Sequence, residues 1–450
     1  MASKLFGNSN RSKFGANRSS PQQEGSGRPV EKQQKHKRTR SRLRPLKVTL
    51  SILLAIEILY CIAIFSNIPF IKELREIYIK TAMSTMNHQW LATAFIPRDI
   101  IDDLVAKGEQ AKQEQIGVNS SWDDVDATDE STETPAANQT EGQTGPEETT
   151  ESPITQAQLD FFALFDELDE ASMLAYVEDH PDVVANGWEK IYINEAGLDD
   201  EGTSIRTTAD DQVLAIDAQN QIVLVRVTGS GILGDYRGIL AIAKDPSRLS
   251  LGMSKDIGSR GQRAGEIAEN YNALIAITAS GFDDPGGAGN GGKVAGGCMS
   301  DGEVYGKRFC RSYKRLELHE DNRLYVVDSY MDYSDETTDA AEFWPALVVD
   351  GKNALSKNHF FTEMNPRACL GQTRDEEILF LVIEGRFVNN SIGTDADECV
   401  DILLRYDCYQ GMNMDGGTSA IMWYDGEYVT SCSNTRLPEG RLMPNAWIYK

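Results

Sequence analysis

A hydrophobic run, Val48 to Phe65 (VTLSILLAIEILYCIAIF), divides the chain and limits what lies on either side of it. It is about the length needed to cross ~30 Å of hydrocarbon as a helix, and residues 46–66 are read as a transmembrane helix. The basic cluster Lys35, Lys37, Arg38, Arg40, Arg42, Arg44 and Lys47 lies directly before it. The positive-inside rule then keeps the N-terminus in the cytoplasm. The expected arrangement is a single-pass cell-membrane protein with an extracellular C-terminal domain. A cleaved signal peptide is the rival reading. The long polar stretch before the run, and the absence of a small-x-small site just after Phe65, speak against it. Glu57 sits mid-span, where a carboxylate is costly, and calls for protonation or a partner.

The segments outside the span differ in composition. Residues 1–45 are polar and basic, with almost no apolar residues, and are expected to be a disordered cytoplasmic tail lying against anionic lipid. Residues 67–107 mix apolar and charged positions and read as a juxtamembrane helix, a break at Pro97 and a second helix. His88 and Trp90 fall there and are read as packing or interfacial residues. Residues 108–154 are dominated by Glu, Asp, Thr, Gln, Ser and Pro, a composition that cannot bury enough apolar surface to fold, and are expected to form a self-repelling acidic linker or stalk. Residues 155–186 place Leu159, Phe162, Leu164, Phe165, Leu168 and Leu174 at helical spacing, either as a cap on the following domain or as a small bundle. The net charge of −25 argues against nucleic acid as a partner, because a phosphate backbone needs a basic face.

From residue 187 to 450 the pattern changes to short β-branched and aromatic runs between Gly-containing turns. The strands expected are Gln221–Thr228, Gly238–Ala243, Leu274–Thr278, Arg323–Asp328, Ala346–Val349, Ile378–Ile383 and Ala420–Tyr424. Helices are expected over Arg263–Tyr271 and Asp395–Tyr406. The fold class is therefore α+β: a mixed-sheet domain with a few helices, long enough for a substantial core. Cys61 falls in the span. Cys298, Cys310, Cys369, Cys399, Cys408 and Cys432 fall in the exported part, where six cysteines permit three disulfides but allow 15 pairings. No CxxC or Cys/His cluster suggests zinc.

Three segments carry chemistry. Ser280-Gly-Phe-Asp-Asp-Pro-Gly-Gly-Ala-Gly-Asn-Gly-Gly292 holds six glycines in thirteen residues, which gives a backbone close access to a ligand and amides for anions. No Gly-Lys-Ser/Thr closes it and it opens no helix, so it is not a nucleotide loop. Asn365-Pro-Arg-Ala-Cys-Leu-Gly-Gln372 and the strand ending in Glu384-Gly-Arg386 place Arg367 and Arg386 at strand ends, where a guanidinium suits a phosphate. In Gly411-Met-Asn-Met-Asp-Gly-Gly-Thr-Ser-Ala420, Asn413 and Asp415 share a face if the chain is extended. Gly416 and Gly417 force a bend, and Thr418 and Ser419 put hydroxyls at that bend. Each segment alone reads as a loop, a pair of surface salt bridges, or an Asp-Gly turn.

Taken in order, these segments resemble the phosphodiester glycosidase family, and in particular its membrane-anchored bacterial members. The resemblance rests on Asp245-Pro-Ser-Arg248, the loop at 280–292, Ser300-Asp-Gly302, and Asn365-Pro-Arg367 with Gly371-Gln372. It rests further on Val382-Ile-Glu-Gly-Arg386, Asn413-x-Asp-Gly-Gly-Thr-Ser419 and Arg441-Leu-Met-Pro-Asn445. It covers about residues 235–450, and the stretch at 80–95 is also similar. Two positions depart from the family pattern. Thr278 stands where the family usually has Asn, and Glu384 where it often has Asp.

The resemblance implies hydrolysis of the bond between an anomeric carbon and a phosphodiester, with an α-N-acetylglucosaminidase-like activity. A phosphate leaves without strong acid help, so such a site needs cations or amides on the phosphate and a carboxylate near the anomeric carbon. The expected catalytic residues are Asp415, Glu384 and Arg367. The expected substrate-binding residues are Ser280, Gly281, Asn290, Gly291, Arg386, Asn413, Gly416, Gly417, Thr418, Ser419 and Asn445. No cofactor is expected; Asp283 and Asp284 are the candidates for a divalent cation. The expected partners are a sugar-phosphate glycan or glycolipid of the cell envelope or exopolysaccharide, and membrane lipid through the anchor. The alternative is an envelope glycan-binding or scaffolding protein with impaired catalysis, signalled by Thr278. A glycosidase for neutral sugars, which predicts an aromatic-lined groove, fits the glycine and arginine bias less well.

Overall fold

The computed structural model describes residues 43–84, 89–122, 155–198, 200–231, 233–356 and 362–450. The basic tail, most of the acidic linker and His88 lie outside the described residues. The chain divides into two compact units, residues 1–61 and 62–450.

Helix α1 spans Leu43–Phe65, and its stretch Pro45–Phe65 is long and apolar enough to cross a membrane, with a mean hydropathy of 2.5. The second unit opens with the end of this helix and a group of three more. These are α2 (Pro69–Ser84), α3 (Gln89–Thr93) and α4 (Arg98–Glu114), with the break before α4 at Pro97. Ile64, Ile79, Ala82, Ala92, Ile96, Ile101 and Leu104 form their common core. Arg75 of α2 donates to the carbonyls of Ile64 at 2.7 Å and Ser66 at 3.0 Å. A guanidinium there meets the unpaired carbonyls at the end of α1, where a cation is favoured.

Residues 108–122, read from composition as the start of the acidic linker, are structured. Helix α4 continues to Glu114, and the next eight residues dock into the sheet domain. Ser120 donates its amide to the Val326 carbonyl at 2.9 Å, Gln115 Nε2 donates to the Ala346 carbonyl at 2.9 Å, and Trp122, buried, donates Nε1 to the Leu324 carbonyl at 3.1 Å. Composition misled because paired backbone and one buried tryptophan hold the segment, and neither registers in an average over acidic neighbours.

The segment 155–186 forms α5 (Gln156–Leu164) and α6 (Glu170–Asp179), N-capped by Thr155 and Asp169. Phe161, Phe165, Leu168 and Met173 join a core with Val223, Val225, Leu379 and Leu381, so this segment is a cap on the sheet domain. Lys244 ties it down, donating to Glu167 at 2.6 Å and to Glu377 at 2.5 Å.

The domain is α+β, with three antiparallel sheets among the described residues. The nine-stranded sheet runs, in spatial order, Tyr192–Asn194, Gln212–Asp217, Ile222–Gly231, Gly234–Ala243, Ile378–Ile383, Arg367–Thr373, Cys408–Asn413, Ala346–Val349 and Lys352–Asn353. A second sheet is Leu324–Asp328, Lys314–His319, Thr337–Phe343, Gly296–Ser300 and Glu303–Lys307. The third is Glu427–Tyr428, Met422–Tyr424, Ile275–Thr278, Asn445–Tyr449 and Leu249–Met253. The run Ile378–Ile383 is apolar throughout because both its faces are buried. Ile378, Phe380 and Val382 pack toward Leu251, Ile275 and Leu316 of the smaller sheets. Leu379, Leu381 and Ile383 pack toward α5 and α6 and toward Val400 and Leu403 of α8 (Ala396–Arg405). Helix α7 (Ala264–Tyr271) covers the third sheet through Ile267 and Ala268 against Ala276, Trp423 and Ile448. All seven cysteines are free thiols in this structure; Cys298, Cys369, Cys399, Cys408 and Cys432 are buried.

Candidate active site

The run Asn413–Ser419 carries the chain from one sheet to another, which fixes where its side chains stand. Met414 donates its amide to Ala368 at 2.8 Å, near the start of the strand Arg367–Thr373 of the nine-stranded sheet. Asp415 donates to Ala279 at 3.0 Å, just past the third-sheet strand Ile275–Thr278, and Gly417 turns back to Pro366 at 2.9 Å. Gly417 has φ +61°, a conformation that favours glycine. A Cβ on Gly416 would stand 2.8 Å from the Pro366 carbonyl. The Gly-Gly bend is thus sterically required, and it leaves Asp415 at the junction of the two sheets.

Asp415 is partly exposed, and no guanidinium or ammonium pairs with it among the described residues. Burial raises its pKa to about 6; the Ser419 hydroxyl, the Arg441 charge and the Gly416 amide oppose the rise, and the Asp284 charge adds to it. Arg441 is held in a two-pronged pair with Asp284, at 2.6 and 2.7 Å, and lies over the Phe282 ring at 4.6 Å. Those hydrogen bonds pull the Asp284 carboxyl below its usual range. Asp284 also accepts from the Gly289 amide, and Asp283 pairs with Lys293 at 3.3 Å. The two acids expected as a cation site are therefore partnered within the protein, Asp284 by Arg441 above all.

On the other side of the bend stands Arg386, with φ +69°. Its guanidinium donates to Thr418 Oγ1 at 3.1 Å, Ser433 Oγ at 3.4 Å and Asn365 Oδ1 at 3.2 Å. None of the described carboxylates pairs with it. Burial lowers its pKa, yet an arginine so placed stays charged. An Arg386 guanidinium held by three neutral acceptors keeps its charge available to an anion. Cys432 lies alongside, its thiol 3.5 Å from the Thr418 carbonyl, and burial pushes that thiol's pKa up.

The other expected site residues divide sharply. Glu384 is buried and locked: Arg237 donates to it at 3.0 Å and the Ser431 amide at 2.6 Å. Arg367 is buried and donates to the carbonyls of Glu363 at 2.8 Å and Thr394 at 3.1 Å, with the Glu363 carboxylate at 3.6 Å. Asn413 does not share an open face with Asp415. It is buried and donates Nδ2 to the Trp344 carbonyl at 2.9 Å. Ser280 and Asn445 hold each other through two hydrogen bonds, at 2.9 and 3.1 Å, directly after the strand that ends at Thr278. Gly281 comes so close to Phe343 that a Cβ would stand 3.1 Å from the ring. Asn290 bonds the Ser259 carbonyl, and a Cβ on Gly291 would stand 2.4 Å from the Leu442 carbonyl. That part of the glycine loop is close-packed on protein backbone, not held open for a ligand.

Sequence reasoning passed over an aromatic wall. Tyr313 lies between Phe309 (ring centroids 4.7 Å apart) and Phe343 (6.0 Å). Burial raises the Tyr313 phenol pKa, and the charges of Cys310, Asp415 and Glu342 raise it further, so it stays protonated beside Asp415. Nothing in the local sequence around Cys310-Arg-Ser-Tyr313 marks it; only the packing of the strand Lys314–His319 against Thr337–Phe343 brings it there. Arg441 was legible as part of a motif, but its pairing with Asp284 was not. As for metals, Asp166, Glu167 and Glu377 are the acidic group close enough to share an ion among the described residues. Lys244 already occupies its centre.

The phosphodiester glycosidase family matches residues 271–450. No curated protein matches the sequence. Among solved structures, the chain is similar to the catalytic domain of zebrafish N-acetylglucosamine-1-phosphodiester α-N-acetylglucosaminidase, auto-inhibited by its pro-peptide. The identity is 14% and the TM-score 0.42, over 51% of this chain and 82% of that one. It is also similar to a hypothetical protein from Synechocystis, with 13% identity and a TM-score of 0.37, over 54% of this chain and 65% of that one. The matched segment contains Asp415, Arg386, Arg441 and the aromatic wall, and it is to a phosphodiester glycosidase domain that residues 271–450 are similar.

Proposed function

We propose that this chain is an extracytoplasmic hydrolase, anchored by α1, that cleaves sugar-1-phosphodiester bonds in cell-envelope glycans or exopolysaccharide. One observation carries the reading: a carboxylate with a pKa raised to about 6, Asp415, stands across a glycine bend from Arg386, whose charge no described acid neutralises. At neutral pH Asp415 is ionised and basic enough to take a proton from water attacking the anomeric carbon. Arg386, with Thr418 and Ser433, holds the departing phosphate, whose low basicity removes the need for a strong general acid. Tyr313 and Phe343 offer apolar faces to a sugar ring. Arg367 and Glu384 act behind the site: the first fixes the loop carrying Asn365, the second anchors the backbone at Ser431 near Ser433.

The test is to incubate the purified full chain with a panel of sugar-1-phosphodiesters and measure free sugar. Wild type is expected to release sugar from at least one, and Asp415→Ala from none. Undiminished release by Asp415→Ala removes the proposed base. The alternative, a glycan-binding protein with impaired catalysis, draws on Thr278. That residue is fully buried and its hydroxyl has no hydrogen-bond partner, so it does not stand in for an amide. Binding of a panel member without turnover by wild type would favour this alternative.

A further inference from the structure

The segment after α1 exposes several large apolar side chains to solvent. Ile68, Phe70, Trp90 and Phe95 are 55–59% exposed. Single exposed apolar residues are ordinary, but these follow directly on an apolar span. Aromatic residues just outside such a span are the usual occupants of a membrane interface, where an apolar ring meets headgroups.

The connection from the end of α1 to the following helices is short. Residues 66–68 alone separate α1 from α2, a reach of at most ~10 Å. Arg75 bonds the last carbonyls of α1, and Ile64 belongs to the same core as Ile79 and Ala92. The catalytic domain is braced to these helices in turn. Helix α4 runs into residues 115–122, which are bonded into the domain before the acidic stretch begins. The acidic stretch is thus no spacer between helices and domain. Lys80 of α2 donates to Thr362 Oγ1 at 2.9 Å, close in sequence to Asn365, a partner of Arg386. Two residues beyond Arg386, Val388 is 89% exposed.

We propose that α2–α4 lie in the lipid interface through Phe70, Trp90 and Phe95 and hold the active site at the bilayer, so that its substrate is a sugar-1-phosphodiester whose second ester is to a membrane lipid. This rests on the hydrolase reading above. Water adds its oxygen to the anomeric carbon and the C1–O bond breaks. The bridging oxygen stays on phosphorus, and the water proton passes through Asp415 to solvent. The products are free sugar and a lipid phosphomonoester.

The experiment uses the full chain in phosphatidylcholine–phosphatidylglycerol vesicles and two probes of the sugar the panel selects: its 1-phosphate esterified to methanol, and to dioleoylglycerol in the same bilayer. The lipid ester is expected to be cleaved with a kcat/KM about tenfold or more above the methyl ester, through its confinement at the surface. The combined Phe70→Ser, Trp90→Ser and Phe95→Ser variant is expected to lose most of that advantage while cleaving the methyl ester within about twofold of wild type. Brominated phospholipid is expected to quench a Trp90 emission component that Trp90→Phe lacks. Equal cleavage of both probes overturns the lipid substrate and leaves the hydrolase reading standing. Cleavage of neither overturns both. Absence of Trp90 quenching overturns the interfacial placement.

Discussion

Two carboxylates leave the same end of the nine-stranded sheet, on either side of the strand that begins at Arg367, and they meet opposite fates. Glu384 follows Ile378–Ile383; Asp415 follows shortly after Cys408–Asn413; both strands pair with Arg367–Thr373. Glu384 turns inward, where Arg237 and the Ser431 amide satisfy it. Asp415 is carried by the Gly-Gly bend to the junction with the third sheet, where no cation among the described residues pairs with it and burial lifts its pKa to about 6. A satisfied carboxylate holds structure together; an unpaired one of near-neutral pKa is available for proton transfer. The two arginines repeat the contrast, with Arg367 spent on backbone carbonyls and Glu363, and Arg386 left to neutral acceptors.

Substitutions put this contrast at risk. The largest expected effect is in turnover: Asp415→Asn should lower kcat on a sugar-1-phosphodiester by about 10²–10⁴-fold, the usual worth of a general base. The same change should stabilise the fold at pH 8. The folded pKa of Asp415 lies above its unfolded value, so the group favours folding below about pH 4 and loses that contribution as pH rises through about 6. With allowance for partial exposure, the gain should be about 1–3 kcal/mol, read as a higher Tm. A Tm that falls with Asp415→Asn would mean the carboxylate is satisfied like Glu384.

Arg386→Ala comes next, with an expected loss in kcat/KM of about 10²-fold and partial retention in Arg386→Lys, which keeps charge but not the planar fork. Arg367→Lys tests the comparison from the other side, and should cost stability before it costs turnover of the folded protein. In wild type, kcat/KM should rise with pH to a plateau above about 6, as Asp415 ionises. Asp284→Asn removes a neighbouring negative charge and releases Arg441, and both changes favour the Asp415 carboxylate. The acid limb should therefore move to lower pH. A limb that stays in place would separate Asp415 from the pH dependence. The smallest change in activity is expected from Glu384→Gln, within a few-fold per folded molecule. It should nonetheless cost about 2–3 kcal/mol of stability, below the figure for a fully buried pair because Arg237 is 27% exposed. A loss of activity as large as that of Asp415→Asn, without a loss of stability, would reverse the assignment.

Much of the fold was legible because its signals are local. Ile378–Ile383 and Ala346–Val349 run over the residues that their apolar content indicates. Helix α8 begins after Asp395, whose side chain accepts from the Glu398 amide, and its stripe of Ala396, Cys399, Val400 and Leu403 has helical spacing. The docking of residues 115–122 was hidden, because hydrogen bonds from backbone to a distant strand leave no mark on composition. Tyr313 was hidden for the same reason: its neighbours in space come from other strands.

By itself the sequence determined the apolar span, the alternation of strands and turns, and the bend at Gly416–Gly417, since each follows from side-chain chemistry within a few residues. Only the tertiary structure decided which arginine is left to neutral acceptors, which carboxylate has no cation paired with it among the described residues, and that the helices after α1 are bonded to the sheet domain. Those outcomes depend on partners far away in sequence, and burial among them sets the charge and proton affinity of the site.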